Sequence, residues 1–558
     1  MNIARRTRPV LAAAALAAAL GACAPGHGLP SMPAPETLPP GSPLASQTLA
    51  PWDAWLRHYM MTGQADSAVI LLRGGAGPRD ELVRRLQLAV VLHEAGRWRE
   101  SNEALDWAEA ETERRYTRSI SQGAGALLVN DASIAYVPPP AERAMLPYYR
   151  MLNDLALGEA ESAAVEGRRA GAYFTQLRDA DGRQPCVGEG LVEYLAGISF
   201  GQAGAAQDAL VSFRQAERAF DDCPGAGAPA DLGARLYAAA RRTGVAAVAD
   251  SAARRYRLSA APADTAAGEV VVMVQHGWVA HRSNADLHVP IFAAQADGLS
   301  NGDPAALVDL LLHTAENLVE QAQWGESWEE HPVQQVADAL DGAYIMKLAW
   351  PVYRLESCSA QDVRVVIGGD TVNAPVAGDL SSAVLARWEG TRASALGRMM
   401  LRGTAKYLAT RAIERKAEKE GGEEVGWLAG RLANFAGNRL ERADTRSWSL
   451  LPDRVSVARI SLHPGEHDVR IEVMGDDGET RWIDVGTVTV RAGQTSVVAQ
   501  RVWGGEMGDL ATRSPQMREA HARRESAPAD TVPAVDAQPA GAAAPMEVAS
   551  KAKSSTEP

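Results

Sequence analysis

Hydrophobic residues along the chain follow two periods, and the changes between them divide the sequence into regions. Over residues 51–258 apolar residues recur at three- and four-residue steps, which predicts helices. From residue 268 the pattern changes to short apolar runs and alternation typical of strands, and it returns to helical spacing over 380–442. Alternation resumes over 443–503. This order predicts a multidomain chain, mainly α with α+β parts.

The helical pattern over 51–258 repeats around five turn glycines, each followed by a helix that carries alanines. These are Gly63, Gly96, Gly158, Gly204 and Gly244. The units resemble tetratricopeptide (TPR) repeats, whose small residues let two helices pack closely. Their separations of 33, 62, 46 and 40 residues are irregular. The resemblance implies an N-terminal TPR-like α-solenoid, in which neighbouring hairpins bury each other's apolar faces. An irregular helical bundle is the alternative.

The region 268–379 predicts a central α+β domain with a small mixed sheet. Short apolar runs indicate strands at 270–274, 287–292, 345–354 and 363–367, with a helix at about 304–323.

Residues 380–442 predict a helical hairpin that breaks at Gly421 and Gly422. The arginines of its first helix favour a solvated face, and an anionic surface is the alternative partner.

Four alternating segments between 443 and 503 predict a small antiparallel β unit. They cover 455–462, 467–474, 482–490 and 495–502, and Asp476-Asp477-Gly478 is a hairpin-turn signal between two of them.

The N-terminus has the pattern of a secretory signal. Arg5, Arg6 and Arg8 precede an apolar run of about 11 residues, which is too short to span a bilayer. Leu20-Gly21-Ala22-Cys23 resembles the lipobox of bacterial lipoproteins. That resemblance implies that residues 1–22 are removed and that Cys23 carries lipid. An ordinary secretory signal is the alternative.

The next residues extend this interpretation to localisation. Residues 23–50 contain many Pro, Gly, Ser and Ala, which predicts a flexible tether. By analogy with other lipoproteins, Ala24 rather than Asp after the lipid cysteine favours the outer membrane. We therefore expect a lipid anchor on the periplasmic face of the outer membrane.

Composition excludes one class of partner. The chain has 558 residues and a net charge of −13 at pH 7, which argues against nucleic acid because such binding needs basic faces. No other stretch reaches 18 apolar residues, so no transmembrane helix is expected. Residues 508–558 are rich in Ala, Pro, Ser and charge and should be disordered.

The remaining cysteines predict a disulfide between Cys186 and Cys223, with Cys358 left over. Cys186 precedes a predicted helix and Cys223 follows its antiparallel partner, so the two ends should meet. The periplasm is oxidising, and paired thiols there become disulfides. Two unpaired surface thiols are the alternative.

Motif-like patterns in the chain lack the context that their chemistry needs. Gly197-Ile198-Ser199-Phe200-Gly201 matches a serine-nucleophile pattern but lies inside a predicted helix rather than after a strand. His463 and His467 flank Pro464-Gly465, which favours a turn over a zinc-binding helix.

Three histidines, His276, His281 and His288, cluster around a strand–loop–strand, but no carboxylate or cysteine spacing supports a metal site. No phosphate-binding glycine loop, CxxC pair or dinucleotide fingerprint occurs, so no cofactor and no catalytic residues are expected.

The order of features resembles one family. The features are the lipobox, the helical repeats, Ala349-Trp350-Pro351-Val352-Tyr353, Asp444-Thr445-Arg446-Ser447-Trp448 with Leu451-Pro452, and Leu462 with Pro464-Gly465 and His467. They are similar to a family of uncharacterised proteobacterial lipoproteins with TPR-like N-terminal halves. The resemblance implies a link with accessory envelope lipoproteins of the curli-secretion and penicillin-binding-protein-activator type. Independently of the family, Asp444 and Arg446 fit a charge pair at a structural joint.

Three functions follow as hypotheses. The first is a non-enzymatic, lipid-anchored periplasmic scaffold that helps to assemble a cell-envelope complex, with the repeats binding an envelope protein, possibly another lipoprotein. The second is an envelope-acting hydrolase with a site in 268–375. The third is a glycan-binding module that exposes Trp482 and Trp503 as an aromatic pair.

Overall fold

A computed structural model describes residues 51–74, 79–121, 135–182, 186–223, 225–258, 267–291, 344–355, 360–440, 443–475 and 480–503. Cys23, Cys358, the signal, the tether, the helix expected at about 304–323, the turn at 476–478 and the tail 508–558 lie outside these residues. The described residues are mixed α and β, as the sequence predicts.

Eleven helices precede the first strand in the described ranges. They are α1 Pro51–Met61, α2 Ala65–Arg73, α3 Glu81–Glu94, α4 Trp98–Ser121, α5 Pro140–Arg143, α6 Met145–Leu157, α7 Ala160–Asp181, α8 Glu189–Gln202, α9 Ala206–Asp222, α10 Leu232–Arg242 and α11 Ala246–Arg255. Apart from the short α5, they form five helix–turn–helix units, α1–α2, α3–α4, α6–α7, α8–α9 and α10–α11, and each helix packs against the next.

The same turn closes all five units at the five glycines that the sequence singled out. Each glycine has a φ between 71° and 76°, a left-handed conformation that suits a residue without Cβ. The residue after each glycine donates its N–H to a carbonyl five positions earlier, as Gln64 does to Tyr59 (2.7 Å) and Val245 does to Ala240 (2.9 Å). This is the Schellman arrangement, which satisfies helix-end carbonyls.

A small side chain stands five residues after each glycine and lets the two helices of a unit approach. Each of these side chains is at most 3% exposed; they are Ala68, Ser101, Ala163, Ala209 and Ala249. The five units therefore share a packing position as well as a turn.

Ten strands form three sheets in the described ranges. The strands are β1 Gly268–His276, β2 His281–Ile291, β3 Tyr344–Arg354, β4 Ala360–Ile367, β5 Asp370–Asn373, β6 Val376–Asp379, β7 Arg454–Leu462, β8 Gly465–Gly475, β9 Thr480–Val490 and β10 Thr495–Val502. One sheet has the order β10-β1-β7-β6, another has β5-β4-β8-β9, and β2 pairs with β3 as a two-stranded ribbon. All pairings are antiparallel except β1 with β10.

The described helical units and the two four-stranded sheets form three layers, and strand β1 lies in the middle one. Val270, Val272 and Val274 share a core with residues of the β5-β4-β8-β9 sheet. Val271 and Met273, which alternate with them, share the core of the helical units. Successive strand residues point to opposite faces, so β1 is buried on both. The order of layers is helices, the β10-β1-β7-β6 sheet, then the β5-β4-β8-β9 sheet.

The helical hairpin predicted over 380–442 is present as α12 Leu380–Gly421 and α13 Glu423–Leu440. Asp379 accepts the backbone N–H of Ser382 (2.8 Å) and caps the start of α12. Gly422, at φ 91°, separates the two helices, which confirms the predicted break.

The strands of the last region do not form a self-contained antiparallel unit, which corrects the prediction for 443–503. Strands β7 and β10 join β1, with β10 parallel to it, whereas β8 and β9 join β4. Alternation fixes which residues share a face but not which strand is the neighbour. Strands β5 and β6 were not predicted, since each has only four residues. The domain boundaries themselves stay predictions.

Candidate functional site

The inner face of the helical units is covered by the chain's own β region. The first helix of every unit contacts that region. The contacts include Arg57 to the Ser449 carbonyl (3.4 Å), Gln87 to the Ser449 hydroxyl (2.8 Å), Tyr149 to Gln275 (3.1 Å), Gln202 to the Thr495 carbonyl (2.6 Å) and Arg235 to Glu269 (3.1 Å). The side of the helical units that their first helices form is therefore covered within the chain itself.

The segment 443–453 forms the joint between helices and sheet. Gln87 donates to the Ser447 carbonyl (3.2 Å) and accepts from the Leu450 N–H (3.1 Å). Trp448 and Leu451 are buried beside it. Arg446 donates to Asp444 (2.7 Å) and pairs with Asp80 (3.3 Å) at the start of α3. The Asp444–Arg446 charge pair expected at a structural joint is thus present.

Buried arginines and tryptophans stack where the joint meets β1 and β10. Trp278 stacks on Trp503 with ring centroids 4.6 Å apart, and the Arg57 guanidinium lies 4.5 Å from the Trp278 ring. Arg501 lies 4.1 Å from the Trp503 ring and donates to the Gly277 carbonyl (2.6 Å). Stacking on aromatic rings stabilises a charged guanidinium that is buried away from bulk water.

A cluster of ionisable groups ties the β2–β3 ribbon to this joint. The Tyr136 hydroxyl donates to the buried Glu142 carboxylate. Arg282 of β2 donates to the Tyr353 hydroxyl of β3 (2.9 Å) and lies 4.0 Å from Asp444.

Burial raises the pKa of Glu142 to about 7, although Arg282, Tyr136 and the Trp448 N–H stabilise its charged form. A carboxyl group with such a pKa can hold or release a proton near neutral pH, which makes Glu142 an acid–base candidate.

Two further buried carboxyl groups lie on α8, one turn apart. Glu193 and Glu189 are both almost fully buried. Burial, reinforced by the charge of Glu189, raises the pKa of Glu193 to about 7, while Ser212 and Arg178 oppose the shift. Burial likewise raises the pKa of Glu189 to about 7, and Arg178 lies 3.8 Å from it.

We expect Glu193→Gln to remove part of the pH dependence of stability. The folded-state pKa of about 7 lies above the ordinary 4.5, so the folded chain holds this proton more tightly than the unfolded chain. The contribution to the free energy of unfolding is therefore present below pH 4.5 and is lost as pH rises to about 7. At pH 7.5 the variant should be about 1–3 kcal/mol more stable than wild type.

Urea unfolding at pH 4.5 and 7.5 measures the difference between wild type and Glu193→Gln. Glu103→Gln, which changes an exposed carboxylate on α4, is the control and should follow wild type. An unchanged pH dependence in Glu193→Gln would show that the buried carboxyl group is already ionised at little cost.

The motif-like patterns have structural roles. Ser199 is buried in α8 and donates to the Leu195 carbonyl (2.9 Å), and a Cβ at Gly197 would clash with the Phe213 ring. His467 contacts the His463 carbonyl (2.8 Å) across the predicted turn. The context rules out a strained serine elbow and a zinc helix at these positions.

The structure describes the side chains of two of the three clustered histidines, His276 and His281, but not that of His288. His276 and His281 are buried, and burial lowers the pKa of His276 to about 4, reinforced by Arg454 and Arg501. In the part of the chain that the structure describes, no three His, Cys, Asp or Glu side chains lie close enough to hold a metal ion. The prediction that Trp482 and Trp503 form an exposed aromatic pair is wrong, because Trp482 is exposed but Trp503 is buried.

Cys186 and Cys223 form the predicted disulfide, with their Cα atoms 5.4 Å apart. It joins the start of α8 to the end of α9.

Sequence reasoning missed Glu142 and Glu193 as acids with raised pKa values. The available signal for Glu193 was an acid within the apolar run Leu191-Val192-Glu193-Tyr194-Leu195.

The outer helices carry a repeated exposed position. Seven residues after the turn glycine, three of the five units place a large β-branched side chain in solvent: Ile70 on α2, Val165 on α7 and Val211 on α9. The units of Val165 and Val211 are consecutive, and their helices α7 and α9 are joined by the Arg168–Asp208 ion pair (2.9 Å).

Comparison with protein-family models, curated proteins and solved structures finds no match to this chain. Among the described helices, none is both long and apolar enough to cross a membrane.

Proposed function

We propose that this protein is a lipid-anchored periplasmic scaffold that helps to assemble a cell-envelope complex. The observation that carries the proposal is the series of five helix–turn–helix units with one turn geometry and one small-residue packing position. These shared features support a TPR-like array, a class of fold that works mainly through protein binding. The Cys186–Cys223 disulfide suits an oxidising compartment.

The partner surface in this proposal is the outer side of the array. The 443–453 joint and strands β1 and β10 cover the inner side through residues of all five first helices. The second helices α7 and α9 expose Val165 and Val211, and exposed apolar side chains on neighbouring elements favour protein contact. An envelope protein, possibly another lipoprotein, is the partner that the proposed location provides.

Photo-crosslinking in intact cells tests the scaffold. A photoreactive amino acid at position 165 or 211 should capture the same envelope protein. Val165→Asp should reduce capture from position 211 by about tenfold, because a charge on the apolar patch costs desolvation. The same probe at the partly exposed Glu81 of α3, a first helix, is the control. Capture of no protein from either position, or capture unaffected by the aspartate, contradicts the proposed surface.

Cys23→Ala should abolish membrane attachment. The proposed lipid chains supply all of the anchoring, and stable attachment requires more than one acyl chain. Fractionation of cells that express either form measures the change, with folding checked by the Cys186–Cys223 disulfide. A Cys23→Ala protein that stays in the membrane pellet contradicts the proposed lipid anchor. This result would not bear on the proposed partner surface.

A further inference from the structure

Helix α13 has two differing faces between residues 423 and 434, and within the part of the chain that the structure describes one of them packs against α12. Gly426 and Gly430 lie against α12: a Cβ on Gly426 would come within 2.7 Å of Glu418, and one on Gly430 within 3.0 Å of Glu414. These glycines let the two helices of the hairpin approach closely. Between residues 411 and 432 they are the only buried residues, so this end of the hairpin is exposed on its remaining sides.

The face of α13 away from the glycines is apolar and exposed. Trp427, Leu428 and Leu432 are 54%, 53% and 55% exposed. At 100° per residue Leu428 and Leu432 point away from Gly426 and Gly430, and Trp427 lies between the two faces. Single exposed apolar residues are ordinary, but three within six residues of one helix indicate an interaction surface.

Two opposite charges frame this apolar face along the helix. Glu424 lies three residues before Trp427, and Arg431 lies three residues after Leu428, so all four share one side of α13. The Arg431 guanidinium lies 4.6 Å from the Trp427 ring. In the described part of the chain neither Glu424 nor Arg431 forms an ion pair.

We propose that α13 pairs with α13 of a second copy of this chain, antiparallel and about a two-fold axis between Trp427 and Leu428. This arrangement places Trp427 against Leu428 of the other copy and Glu424 against Arg431 of the other copy. A surface whose acidic and basic ends are equidistant from its apolar centre is complementary to itself, as an isologous contact requires. The inference is independent of the lipid anchor and of the partner surface on the outer helices.

The charges of the hairpin end favour a second copy over an anionic membrane. Five basic and five acidic residues lie between 411 and 432: Arg411, Arg415, Lys416, Lys419 and Arg431, and Glu414, Glu418, Glu420, Glu423 and Glu424. Membrane-surface helices carry an excess of Lys and Arg that is attracted to anionic lipid, and this segment has no net charge.

Sedimentation equilibrium of the chain from residue 23 onward tests the pairing. The chain carries Cys23→Ala and Cys358→Ser, so that any dimer is non-covalent. We expect a reversible dimer, with Glu424→Arg or Arg431→Glu weakening association by about tenfold or more because like charges then face each other. The double variant Glu424→Arg/Arg431→Glu restores opposite charges and should recover most of the lost affinity. Glu103→Arg on α4 is the control and should leave association unchanged.

Three results would overturn the proposal. One is a monomer at every concentration, and another is a dimer that neither single charge reversal weakens. The third is a monomeric chain that co-sediments with vesicles of phosphatidylethanolamine and phosphatidylglycerol and loses this binding with Leu428→Asp, which would assign the surface to a membrane. Circular dichroism melts of the variants show that the changes in association are not unfolding.

Discussion

Replacing Cys186 and Cys223 together with serine should lower the free energy of unfolding by about 4 kcal/mol. The disulfide closes a loop of 37 residues, so it removes many conformations from the unfolded chain. It also ties the start of α8 to the end of α9. Burial raises the pKa of Glu189 at that helix start, so the bond stabilises a place where an acidic side chain already opposes folding.

Chemical unfolding of wild type and the Cys186→Ser/Cys223→Ser variant measures this loss. Cys358→Ser is the control and should change stability little. Thiol counting on unreduced chain without Cys23 should find one free thiol, from Cys358. Finding three free thiols, or equal stability of the double variant and wild type, contradicts the role assigned to the bond.

Gln87→Leu should destabilise the chain by about 3 kcal/mol through the joint between helices and sheet. The side chain is fully buried and bonds the Ser447 carbonyl, the Ser449 hydroxyl and the Leu450 N–H. Leucine has a similar volume but leaves the carbonyl and the N–H buried without those partners. An unsatisfied buried polar group costs about 1–3 kcal/mol.

Gln202→Leu is the matched control for Gln87→Leu. Gln202 also donates from a first helix to the β region, at the Thr495 carbonyl (2.6 Å), but this bond is exposed. Water can replace it, so we expect a loss below about 0.5 kcal/mol. Thermal melts of the two variants separate the effects. Equal losses, or none at Gln87, would mean that the joint does not hold the layers together.

Local features of the fold were predictable from the sequence because their causes are local. Each turn glycine must adopt a positive φ, and the glycine and its flanking helical periods are visible in one stretch of chain. The long strands β1 and β3 were also predictable, from the apolar runs in Val270–Val274 and Ile345–Arg354. The disulfide was predictable because a helical hairpin brings its own two ends together.

Pairing between distant segments was not predictable in the same way. Glu269 of β1 lies opposite Thr495 of β10, and the sequence of neither segment indicates that it pairs with the other. The candidate acid Glu142 depends on this long-range assembly too, since its pKa reflects burial against Arg282 and the Trp448 backbone. A single acid in a short helix carries no sign of that environment.

The central position of β1 determines the order in which the chain can fold during its synthesis. The helical units need only neighbouring sequence, so they can form while the rest is still being made. Strand β1 must wait for β7 and β10, near the end of the chain, before either of its edges is paired. Until then the inner helices present a bare apolar surface and β1 presents two open edges, which are the conditions under which nascent chains aggregate. We therefore expect the late-synthesised strands to decide how much of this protein reaches its native state.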